Sequence, residues 1–442
     1  MSGTESISRR HFVAAASGAL LAGAVEGAGE KPVSGQPSPL ALQGGPKAVQ
    51  RRPSPRIRWG EPERERLHAM LGQSSLFFWK GPQTELLKER FRKICPLQYA
   101  CTCSSGTAAL HMAVAAAGVA PGDEIVTSPI TDVGTVIGVL FQQAVPVFAD
   151  LDPNTYNLDV ADVERRITPR TKAIIAVHLL GNPCDLDALK ALAERRKLVL
   201  IEDCAQAWGA RYRGRPIGSV GHVACFSLQD SKHVTCGDGG MVGSSEERFG
   251  PLLQRFGDKG FDRVVRRELD MFATNYRMSE PQAAVAAAQL ERLEPIAAQR
   301  ARSGKLLTER IADIPGIRVH RVQPSDRCVY WLYMFRIEPK ALRCDNRQFA
   351  KALAAEGAPA SAGYIRGPLY TEAVFQQHGF FAGHWPVREL GLTGMDYTRV
   401  RCPEAEAIHQ TGIRLSLHEH MTEEYILDVA AAIQKVARHY AA

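Results

Sequence analysis

Between residues 99 and 244, short apolar runs alternate with longer stretches that have helical periodicity. The apolar runs are short enough for strands, and the stretches between them are long enough for helices. Strands that are apolar along their whole length are buried on both faces, as happens when helices connect parallel strands. The alternation therefore predicts an α/β fold with a mostly parallel sheet flanked by helices.

The composition is that of a soluble globular protein. Hydrophobic residues make up 45% of the 442 residues and charged residues 23%, with a net charge of +7. The basic residues are scattered along the chain and are not grouped with aromatic ones, so no nucleic-acid partner is predicted. The small positive excess is compatible with an anionic small-molecule substrate.

The ten cysteines form no CxxC pair. Most lie in apolar surroundings, which is typical of small buried side chains rather than of zinc ligands or disulfides. We therefore predict no metal site, and we expect the chain to fold in a reducing compartment.

The N-terminal segment carries a different indication. Residues 8–24 read SRRHFVAAASGALLAGA, a twin arginine followed by an alanine-rich stretch that is too short for a stable membrane anchor. It resembles a twin-arginine export signal, and that pathway carries folded proteins. We predict a signal over residues 1–27 and a periplasmic or extracellular location, or a cytoplasmic one if the signal is not used.

The remaining chain divides by texture into an arm and two domains. Residues 28–58 are rich in glycine, proline, serine and arginine and are predicted to be a linker or arm. Residues 59–295 contain the strand and helix alternation and form the predicted large domain. Residues 296–442 mix helices with a few strand candidates and form a smaller C-terminal α+β domain.

Polar residues follow several predicted strands at their carboxyl ends, where ligands bind in parallel sheets. The SSGT turn at 104–107 precedes a helix and suits a phosphate group. Asp203 and Gln206 follow one strand, and Ser227 and Lys232 follow another. A phosphate site, a carboxylate and a lysine together suit pyridoxal phosphate, which needs an amine for its aldehyde and an acid for its ring nitrogen.

Several ordered motifs are also familiar as a set. CSSGTAALHMAV, PGDEIVTSP, VPVFADLDPNTYNLD, IEDCAQAWGARYRGRPIGSVGHVACFSLQDSKHVTCGDGGMV and NYRMSEPQAAVAAAQL resemble the DegT/DnrJ/EryC1/StrS aminotransferase family. The resemblance runs from about residue 55 to the C-terminus. It implies a fold-type I pyridoxal phosphate enzyme, whose mostly parallel sheet is of a seven-stranded type. Such enzymes aminate a keto-sugar, mostly a nucleotide-linked one, or a keto-cyclitol.

The resemblance implies roles for individual residues. Lys232 would be the Schiff-base lysine and the acid/base of the reaction, Asp203 would pair with the pyridine nitrogen, and Gln206 would contact the ring-hydroxyl side. The residues implied for the cofactor phosphate are Gly106, Thr107 and Ser227.

The family also implies a homodimer with shared active sites. Asn275, in the NYRMSE motif, would reach the phosphate of the cofactor in the neighbouring subunit.

One position departs from the family pattern. The family usually places an aromatic ring over the cofactor, and this chain has Asp132 there, within SPITDVGT. Stacking must then come from elsewhere or be absent, and the additional carboxylate could influence which substrate is accepted.

The Lys232–His233 pair separates two reactions. A related branch of the family has histidine at the lysine position and dehydrates sugars. The spacing to the GDGG turn assigns the Schiff-base position to Lys232 rather than to His233. We therefore predict an aminotransferase. A lyase or dehydratase on the same fold, and an exported pyridoxal phosphate-binding module without catalysis, are the alternatives.

The predicted reaction transfers an amino group from glutamate or glutamine to a keto-sugar or keto-cyclitol. Its partners are thus two small molecules and a second copy of the chain. The candidate substrate residues all lie in the C-terminal domain and are Tyr364, Arg366, Tyr370, His418 and His420.

Overall fold

The computed structural model of the protein describes residues 39–265 and 268–442. The export signal predicted for residues 1–27 and the first part of the predicted arm lie outside the described residues. None of the described helices is both long and apolar enough to cross a membrane.

The apolar runs of the sequence form the strands. In chain order these are β1 (Tyr99–Cys103), β2 (Glu124–Thr127), β3 (Val145–Phe148), β4 (Thr171–Val177), β5 (Val199–Asp203), β6 (Arg211–Tyr212), β7 (Arg215–Pro216), β8 (Val223–Ser227), β9 (Gly240–Ser244), β10 (Ile317–Val319), β11 (Tyr333–Ile337), β12 (Ala360–Ala362) and β13 (Gly412–Leu415). The strands β6 and β7 form a separate small hairpin.

The helices lie between and after these strands. The α-helices are α1 (Glu61–Leu71), α2 (Pro82–Ile94), α3 (Gly106–Ala116), α4 (Gly134–Phe141), α5 (Val160–Arg166), α6 (Leu186–Arg196), α7 (Gly250–Gly257), α8 (Glu280–Leu290), α9 (Leu293–Ile311), α10 (Asn346–Ala355), α11 (Ala373–Gln376), α12 (Pro386–Glu389), α13 (Pro403–Thr411) and α14 (Glu423–Tyr440). Short 3-10 turns occupy Ala41–Gln43, Leu179–Gly181, Leu369–Thr371 and Tyr397–Arg399.

The large sheet has seven strands in the order β1-β9-β8-β5-β4-β2-β3. The strands β3, β2, β4, β5 and β8 are parallel neighbours. The strand β9 is antiparallel to both β1 and β8. The predicted mostly parallel seven-stranded sheet is thus confirmed, and the carboxyl ends of β5 and β8 lie side by side.

Both faces of this sheet are buried, as the continuous apolar strands predicted. Along β4, Ala173, Ile175 and Val177 belong to one apolar cluster, and Ile174 and Ala176 belong to another. Successive side chains of a strand point to opposite faces, so the two clusters lie on opposite sides of the sheet. Helices cover both sides and leave the strand ends as the place for polar groups.

The C-terminal part has its own antiparallel sheet, in the order β10-β11-β13-β12. Its core joins Leu307 of α9, Phe335 of β11 and Ile433 of α14 in a third apolar cluster. A small α+β domain is therefore present. The boundary predicted at residues 295 and 296 falls inside α9, and it stays a prediction.

The described part of the predicted arm packs against the small domain. Leu40 and Val49 are buried in the third cluster. The carboxylate of Glu356 accepts the main-chain N–H groups of Ala41, at 2.8 Å, and Ala48, at 2.9 Å. Farther along the arm, Arg56 and Arg58 donate hydrogen bonds to the loop that follows β8.

Candidate active site

Asp203 ends β5 and is almost fully buried. Its Oδ2 accepts the hydroxyl of Thr135 at 2.8 Å, and its Oδ1 accepts the N–H of Ala205 at 3.1 Å. Burial raises the pKa of Asp203, while these hydrogen bonds and the charge of Lys232 act in the opposite direction. The two hydrogen bonds fix the orientation of the carboxylate at the strand end.

The neighbouring carboxylate, Glu202, makes contacts that stabilise the fold. Its Oε2 contacts Nε2 of His178 at 3.1 Å, and its oxygens accept the N–H groups of Gly218 and Val220 at 2.9 Å. Burial would raise the pKa of Glu202, but His178 and the main-chain N–H groups outweigh it and hold that pKa below its ordinary value. Glu202 therefore ties β5 to the loop before β8.

The N-terminus of α3 and the end of β8 form a narrow cradle. A Cβ built on Gly106 would lie 2.7 Å from Cβ of Ser227 and 3.1 Å from its hydroxyl oxygen, so no larger residue fits there. Ser105 caps the helix by accepting the N–H of Ala108 at 3.0 Å. Free N–H groups in the first turn of a helix, with the hydroxyls of Ser227 and Thr107, are suitable donors for a phosphate.

The amine of Lys232 is buried, with 8% of the residue exposed. Its Nζ lies 3.9 Å from the centre of the Trp331 ring. Burial lowers the pKa of Lys232 to about 8, against the opposing effect of the Asp203 and Asp132 carboxylates. A substantial fraction of this amine is therefore neutral, and nucleophilic, near neutral pH.

The main chain at Lys232 is held by the arm. Arg56 donates to the Lys232 carbonyl at 3.0 Å, and Arg58 donates to the same oxygen. Arg58 also donates to the carbonyl of Asp230 at 2.6 Å. The two arginines thus fix the turn that carries the amine.

Gln206 joins the large sheet to the small domain. Its Oε1 accepts the N–H of Leu180 at 2.8 Å, and its Nε2 donates to the hydroxyl of Tyr364 at 3.1 Å. The Tyr364 ring meets the edge of the Trp331 ring, with centroids 5.8 Å apart. Burial raises the pKa of Tyr364, so its hydroxyl stays protonated and can donate a hydrogen bond.

Asp132 stands at the start of α4 and is exposed. Its Oδ1 accepts the N–H of Gly134 at 2.8 Å. A Cβ built on Gly134 would lie 2.6 Å from the Thr107 hydroxyl and 2.9 Å from the Asp132 carboxylate, so both groups border this glycine. The Asp132 carboxylate thus lies near the Thr107 hydroxyl, and its charge acts on the Lys232 amine.

His233 does not share the surroundings of the Lys232 amine. It is 1% exposed, and its Nε2 contacts the carbonyl of Val329 at 3.1 Å. Burial keeps the pKa of His233 well below its ordinary value, so the imidazole is neutral. The structure thus presents Lys232, and not His233, next to Asp203.

The other predicted site residues are dispersed. Tyr370 is buried and donates to Glu406 at 2.6 Å, and Arg366 borders a separate cavity of the small domain. The main-chain N–H of His420 contacts Nδ1 of His418 at 3.3 Å, in the loop after β13. Asn275 is exposed on the segment between α7 and α8. Among the candidate substrate residues, Tyr364 is the one hydrogen-bonded to a predicted cofactor residue in the described part of the chain, since it accepts from Gln206.

Several neighbours of Lys232 and Asp203 were not predicted from the sequence. Trp331 precedes β11 in a run that reads as one apolar strand, so nothing in the sequence separates it from core residues. Thr135 is the last residue of the SPITDVGT segment, and a hydroxyl at a helix start is usually a cap. Arg56 and Arg58 lie in a segment with no periodic pattern.

These residues fit pyridoxal phosphate as a group. The Gly106 cradle offers N–H and hydroxyl donors at a position where a Cβ would intrude. Asp203 offers an oriented carboxylate, and Lys232 offers a buried amine with a lowered pKa beside an aromatic ring. The donor set therefore matches a phosphate, a pyridine nitrogen and an aldehyde.

Comparison with known proteins agrees with this fit. The sequence model of the DegT/DnrJ/EryC1/StrS aminotransferase family matches residues 59–434. The GDP-perosamine synthase of Caulobacter vibrioides is 34% identical over 351 residues, 79% of this chain and 88% of that protein. The L-glutamine:2-deoxy-scyllo-inosose aminotransferase of Streptoalloteichus tenebrarius is 36% identical over 360 residues, 76% of this chain and 82% of that protein. The X-ray structure of the aminotransferase from Psychrobacter cryohalolentis superimposes with a TM-score of 0.79 at 27% identity, covering 88% of this chain and 100% of that one.

Proposed function

Because the chain belongs to the DegT/DnrJ/EryC1/StrS aminotransferase family, we propose that it transfers an amino group from glutamate or glutamine to one keto-sugar or keto-cyclitol. The chain is a pyridoxal phosphate-dependent aminotransferase of the kind that acts on sugars or cyclitols. The identity of the amino donor, the identity of the acceptor and the presence of a nucleotide on the acceptor are what we propose. A GDP-sugar enzyme and a glutamine-dependent cyclitol enzyme are both among its relatives by name, which supports either acceptor class.

The observation that carries the proposal is the buried amine of Lys232, whose pKa burial lowers to about 8. Lys232 follows β8, and the Asp203 carboxylate ends the adjacent strand β5. When bound, pyridoxal phosphate supplies an aldehyde that an amine attacks and a protonated ring that withdraws electrons from the attached carbon. Lys232 in its neutral form is the attacking amine. Once released, the same amine can take a proton from one carbon and return it to another.

Asp203 acts through its fixed orientation. Thr135 and Ala205 occupy one position on each of its oxygens and leave the carboxylate able to accept a further N–H. An ionised carboxylate there keeps a ring nitrogen protonated. Gln206, held by Leu180 and Tyr364, forms the adjoining wall, and we assign it to the ring-hydroxyl side.

Gly106, Thr107 and Ser227 are proposed to hold the phosphate. Their donors are main-chain N–H groups at a helix N-terminus and two hydroxyls, which stabilise a dianion without needing a basic side chain. The close approach of Gly106 to Ser227 makes the cradle narrow. These residues would hold the phosphate near the end of β8, the strand that Lys232 follows.

Trp331 and Tyr364 are proposed to form the wall on the Lys232 side of the cofactor. The chain lacks the aromatic residue that its family usually has at position 132, and the Trp331 ring lies against the Lys232 amine instead. Asp132 is an exposed acceptor of hydrogen bonds in the same region. It is suited to the hydroxyl groups of a polyhydroxylated acceptor, since an ionised carboxylate accepts several hydrogen bonds.

We also propose a homodimer in which Asn275 of one copy completes the phosphate site of the other. Asn275 is exposed in the single chain, and the apolar side chains of Val264 and Phe272 on the same segment are 74% and 94% exposed. Several exposed apolar side chains on one segment support a surface that a partner covers, as a single one would not. Export through the twin-arginine signal remains part of the proposal.

Transfer of isotopic nitrogen tests the reaction. The purified protein, loaded with pyridoxal phosphate, is incubated with glutamate or glutamine labelled with ¹⁵N and with panels of keto-sugars and keto-cyclitols. The proposal expects one acceptor to gain a single labelled nitrogen. A deoxy product without nitrogen would instead establish a dehydratase, and a protein that binds the cofactor but converts no donor would be a binding module.

A further inference from the structure

A second cavity, of about 460 Å³, adjoins the turn that carries Lys232. His233 lines it, while Lys232, Asp203 and Thr107 do not. Its polar wall contains three arginines, Arg58 from the arm and Arg292 and Arg302 from the region of α9. The cavity is therefore separate from the cofactor site but shares the Lys232 turn with it.

Of the three arginines of this cavity, one pairs with a carboxylate and the other two donate to neutral groups. Within the described part of the chain, Arg58 donates to the main-chain carbonyls of Asp230 and Lys232, and Arg302 donates to the side chain of Gln299. Arg292 pairs with Glu63. Two of the three guanidinium groups thus have neutral partners.

One carboxylate, Glu419, also lines the cavity, and its charge is already balanced. Arg300 donates to one of its oxygens at 2.9 Å, and Arg56 donates to the other at 3.3 Å. Burial would raise the pKa of Glu419, but these arginines lower it to about 2. The remaining charge of the wall is positive.

Three of the residues that line the cavity also carry polar atoms without partners. Among the described residues, the buried Nε atoms of Arg58 and Arg292 and the buried Nδ1 of His233 have no hydrogen-bond partner. A buried donor without an acceptor is costly, and guanidinium groups bind phosphate oxygens in a bidentate manner. Arg58 and Arg292 therefore have unused donors in addition to the N–H groups that hold their neighbours.

We propose that this cavity binds a phosphate-bearing small molecule. The arginines, with Arg302 nearest to solvent, receive the phosphate, and Ile57, Pro295 and Ile296 supply an apolar wall for the organic part. Because Arg58 also holds the Lys232 carbonyl, a ligand that engages Arg58 acts on the turn that carries the catalytic amine. The site therefore connects ligand binding to the position of Lys232.

Inorganic phosphate and phenyl phosphate are the probes for this cavity. They are titrated into the pyridoxal phosphate-loaded protein at constant ionic strength, and binding is followed by calorimetry. Loading occupies the cofactor phosphate site beforehand. The proposal expects saturable binding of both probes, with phenyl phosphate bound more tightly because it also covers apolar surface.

The matched variants are Arg302→Gln and Arg310→Gln. Both remove one exposed charge from α9, but Arg310 does not line the cavity. Arg302→Gln is expected to weaken phosphate binding about fivefold, as the loss of one charge-assisted contact at a half-open site should. Arg310→Gln should bind as the unchanged protein does. Absence of saturable binding, equal weakening in both variants, or phenyl phosphate binding no tighter than phosphate would overturn the proposal.

Discussion

Burial, two carboxylates and an aromatic ring determine the reactivity of the Lys232 amine. Burial lowers the pKa of its amine, the carboxylates of Asp203 and Asp132 raise it, and the outcome is a pKa of about 8. The Trp331 ring keeps the amine in contact with an aromatic surface rather than with solvent. Lys232, which the sequence pattern indicated as a candidate, is thus suited to act as a nucleophile. The residues that make it so, Asp132, Asp203 and Trp331, come from three parts of the chain.

The rate at which pyridoxal phosphate attaches to the apo-protein should follow this pKa. The neutral amine is the attacking form, so the rate should rise with pH up to about 8 and level off above it. The absorbance change in the near-visible region, measured across pH, reports the rate, and free Nα-acetyl-lysine corrects for ionisation of the reagent. A midpoint near the ordinary lysine value of 10.5 would contradict this description of Lys232.

Asp132→Asn should move that midpoint to lower pH. The Asp132 carboxylate raises the pKa of Lys232, so removing its charge lets burial lower the pKa further. Asp230→Asn is the matched control, because Asp230 lies two residues from Lys232 but is not among the charges that act on its amine. Equal shifts in the two variants would mean that Asp132 has no specific effect on the amine.

At the scale of helices and strands, a buried glutamate joins two helices that are far apart in the sequence, α2 and α8. Glu280, the first residue of α8, accepts the N–H groups of Gln83 and Thr84 at 2.9 Å and the Thr84 hydroxyl at 2.6 Å. The N-cap of α2 is Gly81, which has no side chain to perform this function. The start of α2 is therefore capped from α8, next to the segment that carries Asn275.

Glu280→Ala should destabilise the protein by about 2 to 4 kcal/mol, because it leaves three buried donors without an acceptor. The midpoint of thermal unfolding of the cofactor-loaded protein measures the loss, and Glu280→Gln should retain part of the stability. Glu85→Ala, an exposed change on α2 that removes only a surface ion pair, is the control and should cost less than about 1 kcal/mol. Equal losses for Glu280→Ala and Glu85→Ala would show that Glu280 does not cap α2.

Sequence patterns predicted the elements of the large sheet well because its strands are apolar along their length and local periodicity determines them. Asp203 and Ser227 come together because they end adjacent parallel strands, β5 and β8, which the α/β pattern makes foreseeable. Trp331 could not be predicted, since its position depends on how the small domain packs against the large one. The same holds for Arg58, which reaches Lys232 across more than a hundred residues of chain. The roles assigned to the individual site residues stay predictions.

At the scale of the whole molecule, the proposed shared sites predict complementation between two impaired variants. Lys232→Ala lacks the amine, and Asn275→Ala lacks the contact to the partner's cofactor. A mixed dimer has one site with both residues intact, so an equal mixture that exchanges subunits should contain about a quarter of intact sites. Recovery of that activity on mixing is the expected result. Mixtures with no more activity than the sum of the separate variants would contradict shared sites.

The N-terminal signal makes a separate prediction about where the whole molecule is found. If the twin-arginine pathway is used, the full chain in its host should leave the cytoplasm with the cofactor already bound. Replacing Arg9 and Arg10 together by lysine keeps the charge but should retain the protein inside the cell. Fractionation with a cytoplasmic marker measures the difference. An unchanged distribution in the variant would indicate that the segment is not used for export.

We propose that this chain aminates a keto-sugar or keto-cyclitol with Lys232 as its catalytic amine. The most direct measurement is a single turnover of protein loaded with the amine form of the cofactor, mixed with each acceptor in turn. We expect one acceptor to restore the near-visible absorbance of the aldehyde form and to gain one nitrogen by mass. In Lys232→Ala the same step should be slower by about a hundredfold or more. No reaction with any acceptor of either class, or an undiminished rate in Lys232→Ala, would contradict it.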